Sequence, residues 1–170
     1  MKESIVLGGG CFWCIEAALQ IIPGVLSIIP GYSAGETENP NYEAICTGKT
    51  GHAEVVQVEF ETDEVSLERL LTLFFKAHDP TQLNRQGNDV GTQYRSIILW
   101  SNPDHEARIR SVMEKEQASL SELIVTQVEE LEVFHPAEEY HHDYFKKNPD
   151  QAYCQFVVRP KVEKIKGLTR

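Results

Sequence analysis

A short apolar run, Ile5-Val6-Leu7, stops at three consecutive glycines, Gly8-Gly9-Gly10, and Cys11-Phe12-Trp13-Cys14-Ile15-Glu16 follows at once. Few chain paths accommodate that order. The run is too short for a helix and ends on glycine, so it reads as a strand at about 4–7. Phe12 onward reads as a helix to about residue 20, closed by Pro23-Gly24. Cys11 then stands at the junction, where a helix leaves backbone N–H groups unpaired and its dipole is positive. A thiol there is expected to favour the thiolate, the nucleophilic form. A lone cysteine is commonly just a small buried apolar residue. The glycines, the helix start, two aromatics and a second cysteine three residues on together point instead to a reactive Cys11.

The remaining pattern mixes strands and helices without regular βαβ units. Val25 to Ile29 suggests a strand, and residues 31–52 a long Gly- and Asn-rich loop of the kind that tends to carry function. Ala53 to Glu61 alternates cleanly, with Val56, Val58 and Phe60 on one face and Gln57, Glu59 and Glu61 on the other. Ser66 is a candidate N-cap for a helix with Leu67, Leu70, Leu71, Phe74 and Phe75 on one side. A polar loop from His78 to Gln93 leads to a strand from Tyr94 to Trp100, and Asn102-Pro103 opens a helix running to about Leu120. A strand at about 125–133 and a short helix near 137–146 follow. Tyr153 to Val158 reads as a last strand or an extended tail. The expected class is α+β: a two-layer α/β sandwich with a mixed sheet, a ferredoxin-like core and long functional loops. One domain over residues 1–170 is expected, with a C-terminal tail from about 147 to 170.

Composition narrows the function classes. The chain has 170 residues, is 41% hydrophobic and carries a formal net charge of −10, which argues against a nucleic-acid surface. No stretch approaches the length of a membrane span, and Lys2-Glu3 before so short an apolar run does not resemble a secretory signal, so a cytoplasmic address is expected. Four cysteines are too few for a secreted disulfide framework of this size. The basic end, Arg159 to Arg170, reads as a solvated tail.

Glu54 falls in phase with the apolar face of its strand. Burial there penalises the carboxylate and raises its pKa, which makes Glu54 a candidate general acid. Read alone, it is equally a strand-end glutamate at an exposed edge or in an ion pair. Tyr42, in Asn39-Pro40-Asn41-Tyr42, and Tyr94, at the start of its strand, are polar-tipped aromatics beside loops, and Asp89 lies in the turn Gly87-Asn88-Asp89-Val90-Gly91.

These segments resemble the A-type peptide methionine sulfoxide reductases over most of the chain. Gly10-Cys11-Phe12-Trp13 is similar to that family's nucleophile motif, Gly31-Tyr32 with Asn39-Pro40-Asn41-Tyr42 to a substrate loop, and Gly51-His52-Ala53-Glu54-Val55 to its acid-bearing strand. His78-Asp79-Pro80-Thr81-Gln82 and the run from Arg85 to Ser96 resemble a second substrate loop. The resemblance implies that Cys11 attacks the sulfur of methionine-S-sulfoxide and Glu54 protonates the oxygen, with Tyr42 and Tyr94 as hydrogen-bonding partners. It implies that Phe12 and Trp13 hold the substrate methyl group and Asp89 contacts the substrate backbone. It further implies protein repair on free and protein-bound substrate by a monomer that uses no metal or other cofactor. Attack leaves a sulfenic acid, which a second thiol converts to a disulfide; thioredoxin is the implied reductant.

Departures from the pattern are Cys14, where glycine is common, and Ala34 in Gly31-Tyr32-Ser33-Ala34-Gly35. The Gly-rich two-cysteine tail of some members is absent. Cys154, after Lys147-Asn148-Pro149, lies in a region that resembles the resolving segment and is the favoured first resolver. Cys14 is the second candidate, as a resolver or a relay, and Cys46 the weakest. A competing reading takes Cys11-x-x-Cys14 as the pair of a thioredoxin-like thiol–disulfide oxidoreductase. Another takes the four cysteines as zinc ligands, but the second pair lacks close spacing. His141-His142 beside Asp143 and Glu139 reads as a solvated helix surface.

Overall fold

In chain order, the computed structural model, which describes residues 1–169, forms β1 (Lys2–Gly8), α1 (Phe12–Leu19), β2 (Val25–Ser33), α2 (Tyr42–Cys46), β3 (Ala53–Glu61) and α3 (Leu67–Ala77). A small hairpin of β4 (Arg85–Gln86) and β5 (Asp89–Val90) follows, then β6 (Ile97–Trp100), α4 (Pro103–Gln117), β7 (Gln127–Glu130), β8 (Phe134–Pro136), α5 (Tyr144–Lys147) and α6 (Arg159–Leu168). Short 3₁₀ turns lie at Thr92–Tyr94 and Glu139–His141, and a π-helical turn at Cys154–Val158.

The main sheet has the order β7-β6-β1-β3-β2-β8. Every neighbouring pair is antiparallel except β6 with β7. Its four central strands, β6-β1-β3-β2, with α1 joining β1 to β2 and α3 joining β3 to β6, form the split βαβ arrangement of a ferredoxin-like fold. The parallel β7 makes the sheet mixed, as expected.

Alternation along the strands sorts the core. Ile5, Leu7, Val56, Val58 and Phe60 join Phe12, Ile15, Leu19, Leu70 and Phe74 beneath the helices, while Val6, Ala53, Val55, Ile97 and Leu99 form a smaller cluster on the opposite face. Ser66 caps α3, its Oγ accepting the Arg69 N–H at 3.0 Å, and Asn102 caps α4 by accepting from the Asp104 N–H at 3.0 Å. Each fully buried Leu or Phe of these faces contributes roughly 1.5–3 kcal/mol relative to exposure.

Several expectations need correction. β2 continues to Ser33, and the segment read as a long loop contains α2, capped by the Asn41 side chain on the Ala44 N–H at 2.8 Å. Tyr94 belongs to a 3₁₀ turn ahead of β6, and β8 adds an edge strand to β2 where none was read. The polar loop after α3 carries the β4–β5 hairpin.

The largest difference lies at the C-terminus. Tyr153 to Val158 is neither strand nor extended tail. It winds into the π turn and continues as α6, because Cys154, Val158 and Ile165 are fully buried where this segment packs on α1 and α3. Tertiary burial overrides the strand propensity of Phe156-Val157-Val158. The basic end is therefore helical from Arg159 to Leu168, and Arg170 lies outside the described residues.

Candidate active site

The turn between β1 and α1 is shaped by what packs around it. A Cβ on Gly9 would come within 2.7 Å of the His78 ring, and Gly10 adopts φ +87°, the left-handed region that glycine enters freely. The Gly10 N–H donates to the Tyr94 carbonyl at 3.1 Å, which ties the turn to the segment ahead of β6. Cys11 follows as the N-cap of α1 and is 8% exposed.

The charge on the two neighbouring thiols is not arranged as the helix N-terminus alone implies. Burial, followed by the hydrogen bond with Cys14 and the nearby Glu54, pushes the Cys11 thiol well above its ordinary range. Cys14 moves the other way, to about 7, drawn down by the Cys11 hydrogen bond against the cost of burial, with Lys161 and the Tyr153 hydroxyl adding to the effect. Burial thus disfavours a charge on Cys11, and the two thiols titrate as a pair.

Glu54 is 1% exposed, on the helix-facing side of β3, as its phase in the strand predicts. Its Oε1 accepts the Phe12 N–H at 3.1 Å, one of the free amides at the start of α1. Burial raises its pKa to about 8 even though the Phe12 amide opposes the shift, so the carboxyl group is largely protonated at neutral pH. Burial also raises the pKa values of Tyr42 and Tyr94, with contributions from the nearby Glu54 and Cys11. Both phenols hold their protons.

The apolar wall is built around Trp13. Phe12 is fully buried behind it. The Trp13 ring stacks on Tyr144 at a centroid distance of 3.7 Å and an interplanar angle of 4°, and its indole N–H donates to His141 Nδ1 at 2.9 Å. His141 is therefore not on a solvated helix surface. It is fully buried among aromatic rings, and burial lowers its pKa to about 4, keeping it neutral. Glu16 accepts the Asp143 N–H at 3.0 Å and so fixes the turn that presents Tyr144. Glu138 accepts the Tyr32 hydroxyl at 2.8 Å and the Tyr42 N–H at 2.9 Å, holding the Tyr42 segment in place. Sequence reading assigned no site role to Glu16, Glu138, Tyr144 or Tyr153; the only available signal was the aromatic and acidic density of residues 138–145.

The candidate residues Cys11, Glu54, Tyr42, Tyr94, Phe12, Trp13 and Asp89 all gather here. Asp89, on β5, accepts the Tyr153 hydroxyl at 2.6 Å. Cys154 is fully buried, and its thiol is raised first by burial and then by the neighbouring Cys14. Cys46 is exposed, and all four thiols are free. Among the described residues no three His, Cys, Asp or Glu side chains are grouped as metal ligands would be. A surface cleft of about 880 Å³, lined by none of the four thiols, lies where the ends of α3 and α4 meet the start of α6.

Comparison with known proteins adds an independent finding. The family model described as peptide methionine sulfoxide reductase matches residues 3–169. The peptide methionine sulfoxide reductase MsrA of Nautilia profundicola is 54% identical over 160 residues, covering 94% of this chain and 91% of the relative. Reduced Mxr1 from Saccharomyces cerevisiae superposes with a TM-score of 0.86 at 34% identity, covering 90% of this chain and 89% of that one. Mxr1 in complex with Trx2 superposes with a TM-score of 0.62 at 24% identity over 84% of each chain, a likeness of fold.

Proposed function

Because the chain belongs to the peptide methionine sulfoxide reductase family, and is an oxidoreductase of that family, we propose that it reduces methionine-S-sulfoxide, free and in proteins, through Cys11. The observation that carries this reading is the buried, protonated Glu54 beside Cys11, anchored on the Phe12 amide at 3.1 Å. A sulfoxide oxygen leaves poorly unless it is protonated as the sulfur is attacked. Glu54 supplies that proton, and the Tyr42 and Tyr94 hydroxyls hydrogen-bond the oxygen. Passage of the shared thiol proton from Cys11 to Cys14 leaves Cys11 as the attacking thiolate. The Cys11 sulfur gains the oxygen as a sulfenic acid, and the substrate departs as methionine. Phe12 and Trp13 hold the methyl group, and Asp89 takes the substrate backbone N–H. Residues 1–170 act as one catalytic domain, working as a monomer in the cytoplasm.

The resolving order we propose departs from the sequence expectation. Cys14 is the thiol that bears on both of its partners: it shifts the titration of Cys11 and that of Cys154. Cys14 attacks the sulfenic acid, releasing water and forming a Cys11–Cys14 disulfide. Cys154 then attacks Cys14, frees Cys11 and leaves a Cys14–Cys154 bridge. A thioredoxin-type dithiol reduces that bridge, a partner supported by the complex of yeast Mxr1 with Trx2. A thioredoxin-like oxidoreductase reading of the CxxC pair has less support, since the sheet is ferredoxin-like.

The test is turnover of the separated S and R sulfoxides of a blocked methionine with thioredoxin as reductant. Only the S epimer should react, because a fixed acid and a fixed methyl wall admit one handedness. Comparable turnover of the R epimer would overturn the reading.

A further inference from the structure

Tyr153 lies outside the proposed catalytic set, yet it stands among its members. Its hydroxyl donates to Asp89 Oδ2 at 2.6 Å and is 3.7 Å from Cys14 Sγ. Its ring meets Trp13 edge-on, with centroids 5.9 Å apart and planes at 77°. One side chain therefore touches the carboxylate assigned to the substrate backbone, the wall assigned to the substrate methyl group and the second thiol of the pair. It comes from the C-terminal segment, one residue before Cys154. A phenol O–H and a peptide N–H are equivalent donors to a carboxylate. The short bond to Asp89 is thus the interaction that a bound methionine amide would make, formed by the protein itself.

We propose that Tyr153 is a built-in occupant of the substrate's amide subsite: its hydroxyl holds Asp89 in the resting enzyme, and substrate must displace it, which releases the segment carrying Cys154. The proposal rests on the reductase reading and deepens it in two ways. It makes a backbone N–H part of what the enzyme recognises, because a sulfoxide without that donor has nothing with which to exchange for the phenol. It also ties arrival of substrate to freedom of the relay thiol, so that Cys154 is loosened only when Cys11 has something to reduce. The burial of Cys11 and Cys154 in the resting state fits this order.

The test uses Tyr153→Phe in the full chain, which keeps the ring and removes only the hydroxyl. KM for the S-sulfoxide of N-acetylmethionine methylamide should fall by about tenfold, the scale of one lost hydrogen bond to a charged group. Maleimide labelling of Cys154, followed by peptide mapping, supplies a readout independent of turnover. N-acetylmethionine methylamide should accelerate that labelling in wild type, and Tyr153→Phe should label quickly without it. An unchanged or raised KM, or a fall in first-turnover rate without a change in KM, would overturn the proposal. So would labelling of wild-type Cys154 that ignores the amide. If wild type fails to reduce any methionine sulfoxide, the reductase reading itself fails, and the labelling arms still decide whether Tyr153 holds Asp89.

Discussion

Glu54 and Cys11 divide the chemistry at the scale of single groups, and their titrations set a pH window. Glu54 is a donor only while protonated, so its contribution is present below its pKa of about 8 and lost as pH rises through it. The thiol pair acquires its charge as pH rises through about 7. First-turnover rates should therefore follow a bell with limbs near those values. Glu54→Gln keeps the shape and the contact to Phe12 but has no acidic proton. It should slow the first turnover by about 100- to 10,000-fold and erase the upper limb of the bell, read by rapid-quench release of methionine. A rate within about threefold of wild type would make Glu54 structural. Cys11→Ser should abolish turnover, since an alcohol is barely ionised at neutral pH; appreciable activity would move the nucleophile elsewhere.

At the scale of elements, the β1–α1 turn is a rigid seat held from both sides. His78 packs against Gly9, with its Nδ1 on the Phe74 carbonyl at 2.8 Å and its Nε2 on Ser96 Oγ at 2.7 Å, so α3 and the residue just ahead of β6 together fix the ring. Gly9→Ala places a methyl group 2.7 Å from that ring, and the buried ring cannot retreat without breaking those bonds. The variant should lose about 1–3 kcal/mol of stability, measured by urea denaturation. Its first turnover should slow because Cys11 is displaced from Glu54. An alanine variant as stable and as fast as wild type would show that the turn is compliant. The 138–144 stretch plays a matching part on the other side, presenting Tyr144 and His141 to Trp13.

Across the whole molecule, the C-terminal segment couples the site to the core. Its π turn and α6 bury Cys154, Val158 and Ile165 against α1 and α3, which brings a distant stretch of chain beside Cys14. Cys154→Ser should release about one methionine per enzyme, accumulate a Cys11–Cys14 disulfide and cycle slowly with thioredoxin, because the relay bridge cannot form. Peptide mapping of oxidised wild type should find Cys14–Cys154. A direct Cys11–Cys154 bridge with Cys14 reduced would reverse the proposed order.

How much of this was legible in the chain depends on how local each signal is. The glycine stop after Ile5-Val6-Leu7, the alternation that turns Glu54 inward with Val56 and Val58, and the Ser66 cap before Leu67 and Leu70 are set within a few residues. Periodicity and capping chemistry therefore disclosed the central elements and the inward turn of Glu54, while the gathering of Cys11 with Glu54 was implied only by the family resemblance. The burial of His141, the helical form of Tyr153 to Leu168 and the bond from Tyr153 to Asp89 depend on segments more than sixty residues apart in sequence meeting in space. No local pattern encodes those meetings. The titration of the thiol pair was decided in the same way: the helix start alone favours a thiolate at Cys11, but the burial that opposes it exists only once the tertiary structure has formed.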